Sequence, residues 1–299
     1  MALELCVLGS GSSGNCTVVR GPWGSFLIDA GFGPRTTAQR LSGTGVELAH
    51  VQAILLTHLD TDHFNPNWFQ TLLKQGIHLF AAANNARHLA RSREALYAQE
   101  QLRAKHLLRH RLEELIHAFP EEGAFEVIPG IQVDAIHLAH DAAGSHGFLL
   151  CCDAYRVGFA TDLGHVPEEL IARFCGVDVL ALEANYDPEM QRSSDRPWFL
   201  KQRIMGGRGH LSNEQALAAI QSVLDQTAAR CGPDRLPRHI VLLHRSRQCN
   251  CPGLLRKLFM GDPRIAQVLT LTDQHERTGW LNARRPRAQV FEQLALAWN

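Results

Sequence analysis

Four side chains that could bind a metal ion fall within six positions of this sequence, in the segment THLDTDH at 57–63. They follow the apolar run AILLT at 53–57, and they are His58, Asp60, Asp62 and His63. Where a strand ends in a turn, alternate side chains can point to one place, and a mixture of imidazole and carboxylate suits Zn, Mn or Fe. The alternative is a polar loop that caps a helix at Asn65. The density of ligand-type residues favours a metal site.

Further aspartate and histidine residues lie near the ends of other strand-like runs. They are Asp29 in LIDAG, His140 in LAHDA, Asp162 in ATDLG and His244 in VLLHRS. Taken singly, such an aspartate could cap a strand end and such a histidine could be an ordinary loop residue. In this order around the 57–63 segment, they resemble the metallo-β-lactamase superfamily, whose signature is a strand, then H-x-H-x-D-H, then a helix. The resemblance spans most of the chain.

The resemblance implies an α/β protein with the four-layer αββα sandwich of the metallo-β-lactamase fold and a site for two divalent ions (Zn, Mn or Fe). The implied ligands form two groups of three: His58, Asp60 and His140, and Asp62, His63 and His244. Asp162 would bridge the two ions, and Asp29 would support the ligands from behind.

This sequence departs from the family pattern at Asp60, where most members have histidine. An anionic oxygen ligand in place of a neutral imidazole shifts the preference of the site from Zn toward Mn or Fe. Zn stays compatible with the site, because aspartate oxygen binds it at a normal distance. A degenerate site for a single ion is the alternative interpretation of this substitution.

Five further motifs resemble the YycJ-like (WalJ-like) branch of the superfamily. They are LGSGSSGN at 8–15, LEANYD at 182–187, LKQRI at 200–204, GHLSNEQA at 209–216 and HRSRQCN at 244–250. That branch contains bacterial nucleic-acid hydrolases, including 5′-to-3′ exonucleases, and is related to ribonuclease Z and to cyclic-phosphate phosphodiesterases. This chain differs from it at Tyr186, where histidine is expected.

Two residues are candidates for roles in catalysis. Asp62 would orient a metal-bound hydroxide, and His210, just ahead of a capped helix, would protonate the leaving alkoxide. The candidate substrate-binding residues are Ser12, Lys201, Arg203, Arg208 and Ser246. The GSGSSGN segment lacks the Lys-Ser/Thr ending of a nucleotide P-loop, so we interpret it as a tight glycine turn lining the site. The alternative for His210 is a loop histidine on a solvated basic surface.

The elements that must position these residues alternate between strand and helix patterns. Strand-type runs are expected at 3–8, 15–19, 25–29, 53–57, 125–128, 131–138, 147–152, 156–161, 178–183, 239–244 and 267–271. Helix-type runs are expected at 34–42, 66–75, 84–117, 212–229 and 252–259. We expect Asn65 and Pro66 to open the second helix and a capping box of Ser212 and Gln215 to open the fourth. The pattern implies two αβ halves in a single domain, 1–299, with a short extension at about 284–299.

The composition of the chain argues against a disordered protein. The chain has 299 residues, 45% of them hydrophobic, and 30 Lys plus Arg balance 30 Asp plus Glu. This is an ordinary globular composition without net-charge evidence for a polyanionic partner. Eight scattered cysteines predict reduced thiols, and the CNC at 249–251 lacks a partner pair for a zinc site. Without a leader pattern or a long apolar stretch, we expect a cytoplasmic protein that does not enter a membrane.

Three functions remain open from the sequence alone. The leading hypothesis is a dinuclear metal-dependent phosphodiesterase, a nuclease of the 5′-to-3′ exonuclease type acting on DNA or RNA. The arginine-rich run 87–111 could track a phosphate backbone, although a solvated face is the simpler interpretation. The second hypothesis is a hydrolase of a cyclic phosphate, lactone or thioester. The third hypothesis is a non-hydrolytic metal protein. Against it, we find no flavin-binding region in the sequence that would deliver electrons.

Overall fold

The computed structural model of the chain describes residues 3–120 and 123–283. The predicted extension at 284–299 lies outside these residues. The first of two seven-stranded sheets has the order β14-β1-β2-β3-β4-β5-β6. Its strands are β1 (Glu4–Gly9), β2 (Cys16–Gly21), β3 (Gly24–Ile28), β4 (Val51–Leu55), β5 (His78–Ala81), β6 (Ile116–Ala118) and β14 (Leu281–Asn282). Strands β3 to β6 run parallel to one another, so their carboxyl ends meet at one edge.

The second sheet has the order β13-β12-β11-β10-β9-β8-β7. Its strands are β7 (Ala124–Ile128), β8 (Ile131–Leu138), β9 (Ser145–Cys152), β10 (Tyr155–Ala160), β11 (Val179–Glu183), β12 (His239–Leu243) and β13 (Leu269–Leu271). Strands β7 to β10 are antiparallel and β10 to β13 are parallel. The residues that follow β10, β11 and β12 therefore emerge at a common edge.

Most of the helices cover the outer face of one of the two sheets. Five belong to the first half: α1 (Pro34–Leu41), α2 (Trp68–Gln75), α3 (Ala83–Arg91), α4 (Arg93–Ala104) and α5 (Leu112–Leu115). Six belong to the second: α6 (Glu168–Arg173), α7 (Pro188–Ser193), α8 (Trp198–Met205), α9 (Asn213–Cys231), α10 (Pro252–Phe259) and α11 (Pro263–Ala266). Among the described residues, no helix is long and apolar enough to span a membrane.

The alternation of apolar side chains along the strands builds three buried layers between four layers of backbone. On β3, Phe26 and Ile28 face the second sheet, where they meet Phe148, whereas Leu27 faces outward and packs with Trp68 of α2. A third cluster joins the outer face of the second sheet to α6, α9, α10 and α11. Strands buried on both faces need such continuous apolar runs. The predicted αββα sandwich is confirmed.

Two helical predictions need correction. The helix expected at 66–75 starts only at Trp68, because the Asn65 side chain accepts a hydrogen bond from the Asn67 amide at 3.0 Å and holds Pro66 in a turn. The helical run expected at 84–117 is three helices and a strand, and Ser92 caps the second helix through its hydroxyl. Sequence periodicity also missed strands β5, β6 and β14 and helices α6, α7, α8 and α11.

The capping box predicted for α9 is present: the Ser212 hydroxyl accepts from the Gln215 amide at 3.2 Å, and the Gln215 side chain accepts from the Ser212 amide at 2.9 Å. We expect Ser212→Ala to lower the free energy of unfolding by about 1 kcal/mol, because a helix N–H loses its acceptor. Urea unfolding measures this change. Ser222→Ala is the control, since that hydroxyl only donates to a carbonyl within the helix, and an equal loss there would contradict the prediction.

Candidate metal centre

The segment after β4 folds into a compact loop that is fixed by backbone hydrogen bonds. The His63 amide donates to the Asp60 carbonyl at 2.8 Å, and the Ala30 amide donates to the His63 carbonyl at 2.7 Å. The loop is thereby tied to the residues that follow β3. Its four ligand-type side chains emerge at the edge where the parallel strands end.

The structure brings the predicted ligands together in overlapping groups. The ligand atoms of His58, Asp60 and His140 lie within 4.8 Å of one another, and so do those of Asp62, His63 and His244. Asp162 forms a further group of this kind with His58 and His63. These are the two sets of three and the shared carboxylate that the family resemblance implied. Their assignment as ligands stays a prediction.

Two imidazole nitrogens at this site are suited to coordinate a cation. The Nε2 atoms of His58 and His244 are buried and have no hydrogen-bond partner in the described part of the chain. Burial and the neighbouring His63 hold the pKa of His58 well below its usual range, so its imidazole is neutral and has a free lone pair. A buried polar atom without a partner costs free energy, and a coordinated ion removes that cost.

Positive charge stabilises this site, because it contains buried carboxylates. Asp162 lies 3.0 Å from Nε2 of His63 and 2.9 Å from Nδ1 of His244, and its side chain is only 3% exposed. Burial opposes ionisation of Asp162, but the two imidazoles outweigh it and hold its pKa well below the usual range. Burial likewise opposes protonation of His63 and His244, yet the carboxylates raise the pKa of both well above the usual range. Divalent ions would supply the charge that these protons otherwise provide.

Asp29 supports the site from behind, in the position that the resemblance implied. Its carboxylate lies 2.7 Å from Nδ1 of His63 and accepts from the Thr57 amide and hydroxyl at 2.9 Å each. This contact fixes the ring so that Nε2 of His63 faces the other ligands. Asp29, Asp162 and His244 all have left-handed φ angles, of 58°, 54° and 51°. Such strain costs about 1–3 kcal/mol per residue and is found mostly at functional sites.

The sequence analysis missed two buried residues of the centre. Glu183, the last residue of β11, lies 2.7 Å from Nδ1 of His210 and 3.1 Å from Nδ1 of His244. Asn15, from the glycine-rich turn, places its amide 3.0 Å from Nε2 of His63. The LEANYD and LGSGSSGN motifs contain both residues, and a buried acid at a strand end was the available signal. Tyr186 is buried beside α9 and belongs to none of the ligand groups found among the described residues.

His210 lies in the loop between α8 and α9 at the wall of the centre. Its ring centroid is 5.2 Å from those of both His140 and His244. Because Nδ1 contacts the carboxylate of Glu183, Nε2 is the ring nitrogen left for other contacts. Burial opposes protonation of His210, but Glu183 raises its pKa above the usual value. His210 also belongs to a ligand-type group with Asp162, Glu183 and His244.

A cavity of about 350 Å³ opens over the centre. Some of the predicted substrate-binding residues line this cavity and others do not. Ser12, Arg203 and Ser246 line it. Lys201 and Arg208 do not: the ammonium of Lys201 donates to the Arg192 carbonyl at 2.6 Å, and Arg208 faces a neighbouring depression. Neither residue is among the lining residues of the cavity in the described chain, and their role in substrate binding stays a prediction.

Most of the other cationic and thiol residues singled out in the sequence do not line the cavity. The arginine-rich run 87–111 lies on α3, α4 and the loop that follows, and none of its residues is among the cavity's lining residues in the described chain. The guanidinium of Arg203 forms a salt bridge with Asp141, so its charge is offset. All eight cysteine thiols are free. The titratable side chains that line the cavity include Asp60, Asp62, Asp141, Asp162, His140, His210 and His244.

Comparisons with known proteins agree with this architecture. The family described as "Beta-lactamase superfamily domain" matches residues 25–230. The chain is 28% identical over 264 residues to the Exodeoxyribonuclease YycJ of Bacillus anthracis, a match that covers 86% of this chain and 87% of that protein. It is also 28% identical to the Exodeoxyribonuclease WalJ of Streptococcus pneumoniae, over 74% of this chain and 76% of that protein.

A solved structure shares the fold at low sequence identity. Zn²⁺-bound PqqB from Methylobacterium extorquens superposes with a TM-score of 0.62 and 18% identity, over 92% of this chain and 99% of that one. The likeness shows that the four-layer arrangement is shared.

Proposed function

The chain belongs to the β-lactamase superfamily of metal-dependent hydrolases, and from this membership we propose that it is a dinuclear metal-dependent phosphodiesterase of the exodeoxyribonuclease type. The observation that carries the proposal is the pair of ligand groups, three residues each, that face one buried carboxylate. Two-ion sites of this kind are typical of enzymes that displace at phosphorus. As a nucleic-acid hydrolase of a bacterial type, it would act in the cytoplasm, with DNA as its partner.

We propose that the two groups, His58 with Asp60 and His140, and Asp62 with His63 and His244, bind the ions. Asp162 is proposed as the shared ligand, and Asp29 as the residue that orients His63. When bound, the two ions would supply a hydroxide at neutral pH and offset the charge on the non-bridging phosphate oxygens. All other steps fall to side chains of the chain itself.

We propose that Asp62 orients the attacking water and that His210 donates a proton to the leaving group. The Asp62 carboxylate is 3.4 Å from Nε2 of His244. Burial opposes its ionisation, but the neighbouring His244 and His63 outweigh burial and hold its pKa at about 2. It is therefore ionised and can accept a hydrogen bond from the attacking water. His210, charged through its contact with Glu183, would give its Nε2 proton to the departing alkoxide.

We infer the substrate class of this chain from its relatives of known name. Two of them are named exodeoxyribonucleases, and their matches cover most of both chains. We therefore propose cleavage of single phosphodiester linkages from a DNA end, in the 5′-to-3′ direction that the branch resemblance implies.

A direct assay tests the proposal. We expect the purified protein, loaded with Mn²⁺, to hydrolyse bis(p-nitrophenyl) phosphate and to degrade DNA more efficiently, at a rate that falls as salt rises. Metal analysis should give close to two divalent ions per chain. Hydrolysis of lactones or thioesters without phosphodiesterase activity would favour a small-molecule hydrolase instead. A chain without bound metal after purification away from chelators would exclude both functions.

Metal identity gives a separate prediction at Asp60, the ligand candidate whose side chain is 54% exposed. We expect Asp60→His to keep metal binding and to move the ion that supports the highest activity from Mn or Fe toward Zn. The reason is that a nitrogen donor replaces an oxygen anion. The measurement is turnover of the diester after reconstitution with each ion in turn. An unchanged order of ions would contradict the argument from ligand hardness.

A further inference from the structure

A polar extension leads out of the metal-site cavity along the loop after β12. Ser12, Arg196 and Gln248 line both the cavity and the extension, and Arg247 lines the extension alone. The two spaces therefore adjoin at these shared residues. The extension is the space next to the metal-site cavity on the side of Arg196.

Arg196 is a fixed cation whose charge is not offset. Its guanidinium donates to the side-chain oxygens of Gln248 at 3.0 Å, Gln191 at 3.0 Å and Ser246 at 3.4 Å. All three acceptors are neutral, and no salt bridge to Arg196 occurs within the described ranges. Arg203, by contrast, is paired with Asp141. Hydrogen bonds to neutral groups hold the Arg196 guanidinium in place and leave its full charge available to a ligand.

Arg247 adds a second such cation. Its side chain is exposed and makes no ion pair with any residue that the structure describes. Carboxylates and histidines line the metal-site cavity, and the two arginines place cations without an acidic partner at the extension beside it. Two guanidinium groups beside the Ser12 hydroxyl and the Gln248 amide match the donors that bind a phosphate group.

Two large aromatic side chains lie in the chain between Arg196 and the cavity-lining part of α8. Trp198 is 71% exposed and Phe199 is 73% exposed, whereas Leu200 and Ile204 of the same helix line the cavity. Trp198 follows closely after Arg196 in the sequence, and exposed aromatic rings stack with unpaired bases, whatever the base sequence.

We propose that this extension is a nucleotide subsite, in which Arg196 and Arg247 bind a phosphate that flanks the scissile linkage and Trp198 and Phe199 stack on the unpaired base. The inference rests on the proposed phosphodiesterase function and deepens it. The substrate is then an unpaired end of a polynucleotide, because a small cyclic phosphate has no flanking nucleotide to occupy the subsite.

The phosphate contact is tested with Arg247→Gln on a short single-stranded oligodeoxynucleotide and on bis(p-nitrophenyl) phosphate. We expect the loss of kcat/KM to be about 10-fold or more larger on the oligonucleotide than on the small diester. The slope of log KM against log salt should fall by about 0.7, the value for one phosphate contact on a single strand. Arg91→Gln, on α3, is the matched control that removes the same charge elsewhere.

A second substrate pair locates the contact. Replacing the phosphates next to the scissile linkage in turn by neutral methylphosphonates should, at one position, abolish the difference between wild type and Arg247→Gln. The base contact is tested in the same way: we expect Trp198→Ala to raise KM about 5- to 100-fold on the intact strand and much less on a strand that is abasic at the flanking position. Trp23→Ala, another exposed tryptophan, is its control.

The outcomes separate the subsite from the proposed function. If wild-type protein cleaves neither substrate, the phosphodiesterase proposal fails. If wild-type protein cleaves both and Arg247→Gln matches Arg91→Gln, or the methylphosphonate strands leave its defect in place, the subsite is overturned while the phosphodiesterase proposal stands. Equal losses for Trp198→Ala on intact and abasic strands would overturn the stacking contact.

Discussion

Asp162→Ala should reduce bound metal from close to two ions per chain to one or none and lower kcat on bis(p-nitrophenyl) phosphate by at least about 10³-fold. The reason is its position. Its carboxylate is within hydrogen-bond distance of His63 and His244 and shares a ligand group with His58. No other carboxylate in the described residues joins the ligand groups in this way. The measurements are metal content per chain and kcat after reconstitution with Mn²⁺.

Asp29→Asn is the matched control for this prediction. Asp29 is as buried as Asp162 but contacts only Nδ1 of His63 and Thr57, behind the ligands. Loss of such an outer partner typically costs about 10–100-fold in affinity or activity. Circular dichroism shows whether either variant is unfolded. If Asp162→Ala keeps two ions and loses no more activity than Asp29→Asn, Asp162 is not the shared ligand.

Two local features of the sequence indicate the candidate ligands, and the resemblance to the superfamily implies how these residues are grouped. One is the dense ligand segment 57–63, and the other is the apolar strand directly before each remaining residue. Parallel strands bring the residues after their carboxyl ends to one edge of a sheet. Asp162 and His244 follow parallel strands of the second sheet and so lie at one edge of that sheet. The segment 57–63 follows β4 of the first sheet, and the packing of the two sheets brings the two edges together.

Contacts made by long side chains across loops could not be predicted in this way. Lys201 and Arg203 lie close together on α8, within the LKQRI motif. The ammonium of Lys201 nevertheless donates to a backbone carbonyl, whereas Arg203 forms a salt bridge with Asp141. Arg196 reaches the cavity because Gln191 and Gln248, far apart in sequence, both accept from its guanidinium. Charge counts along a sequence carry no information about such partners.

Helix boundaries in the first half failed for a related reason. The run 84–117 has the composition of a helix throughout, but it is interrupted where Ser92 caps α4, and its last residues join the sheet as β6. Side-chain capping and edge pairing compete locally with helix propensity, and tertiary contacts decide the outcome.

His210→Ala should leave metal content and melting temperature nearly unchanged while it lowers turnover of a diester with a poor leaving group by roughly 10²–10⁴-fold, the usual contribution of general acid catalysis. The Nδ1 contact with Glu183 supports this role, because it orients the ring and favours the protonated form that can donate from Nε2. A p-nitrophenolate leaving group needs little protonation, so the loss on bis(p-nitrophenyl) phosphate should be much smaller.

The comparison of two leaving groups distinguishes this role from the others open to His210. Its ligand-type group with Asp162 and His244 would also allow it to bind an ion, and its place on the cavity wall would allow it to bind phosphate. Loss of an ion in His210→Ala would make it a ligand, and equal losses on both diesters would assign it to phosphate binding. Glu183→Gln keeps the shape of the Glu183 side chain but removes its charge. If His210 is the acid, this variant should show the same dependence on the leaving group in weaker form, since the neutral amide no longer favours the protonated ring.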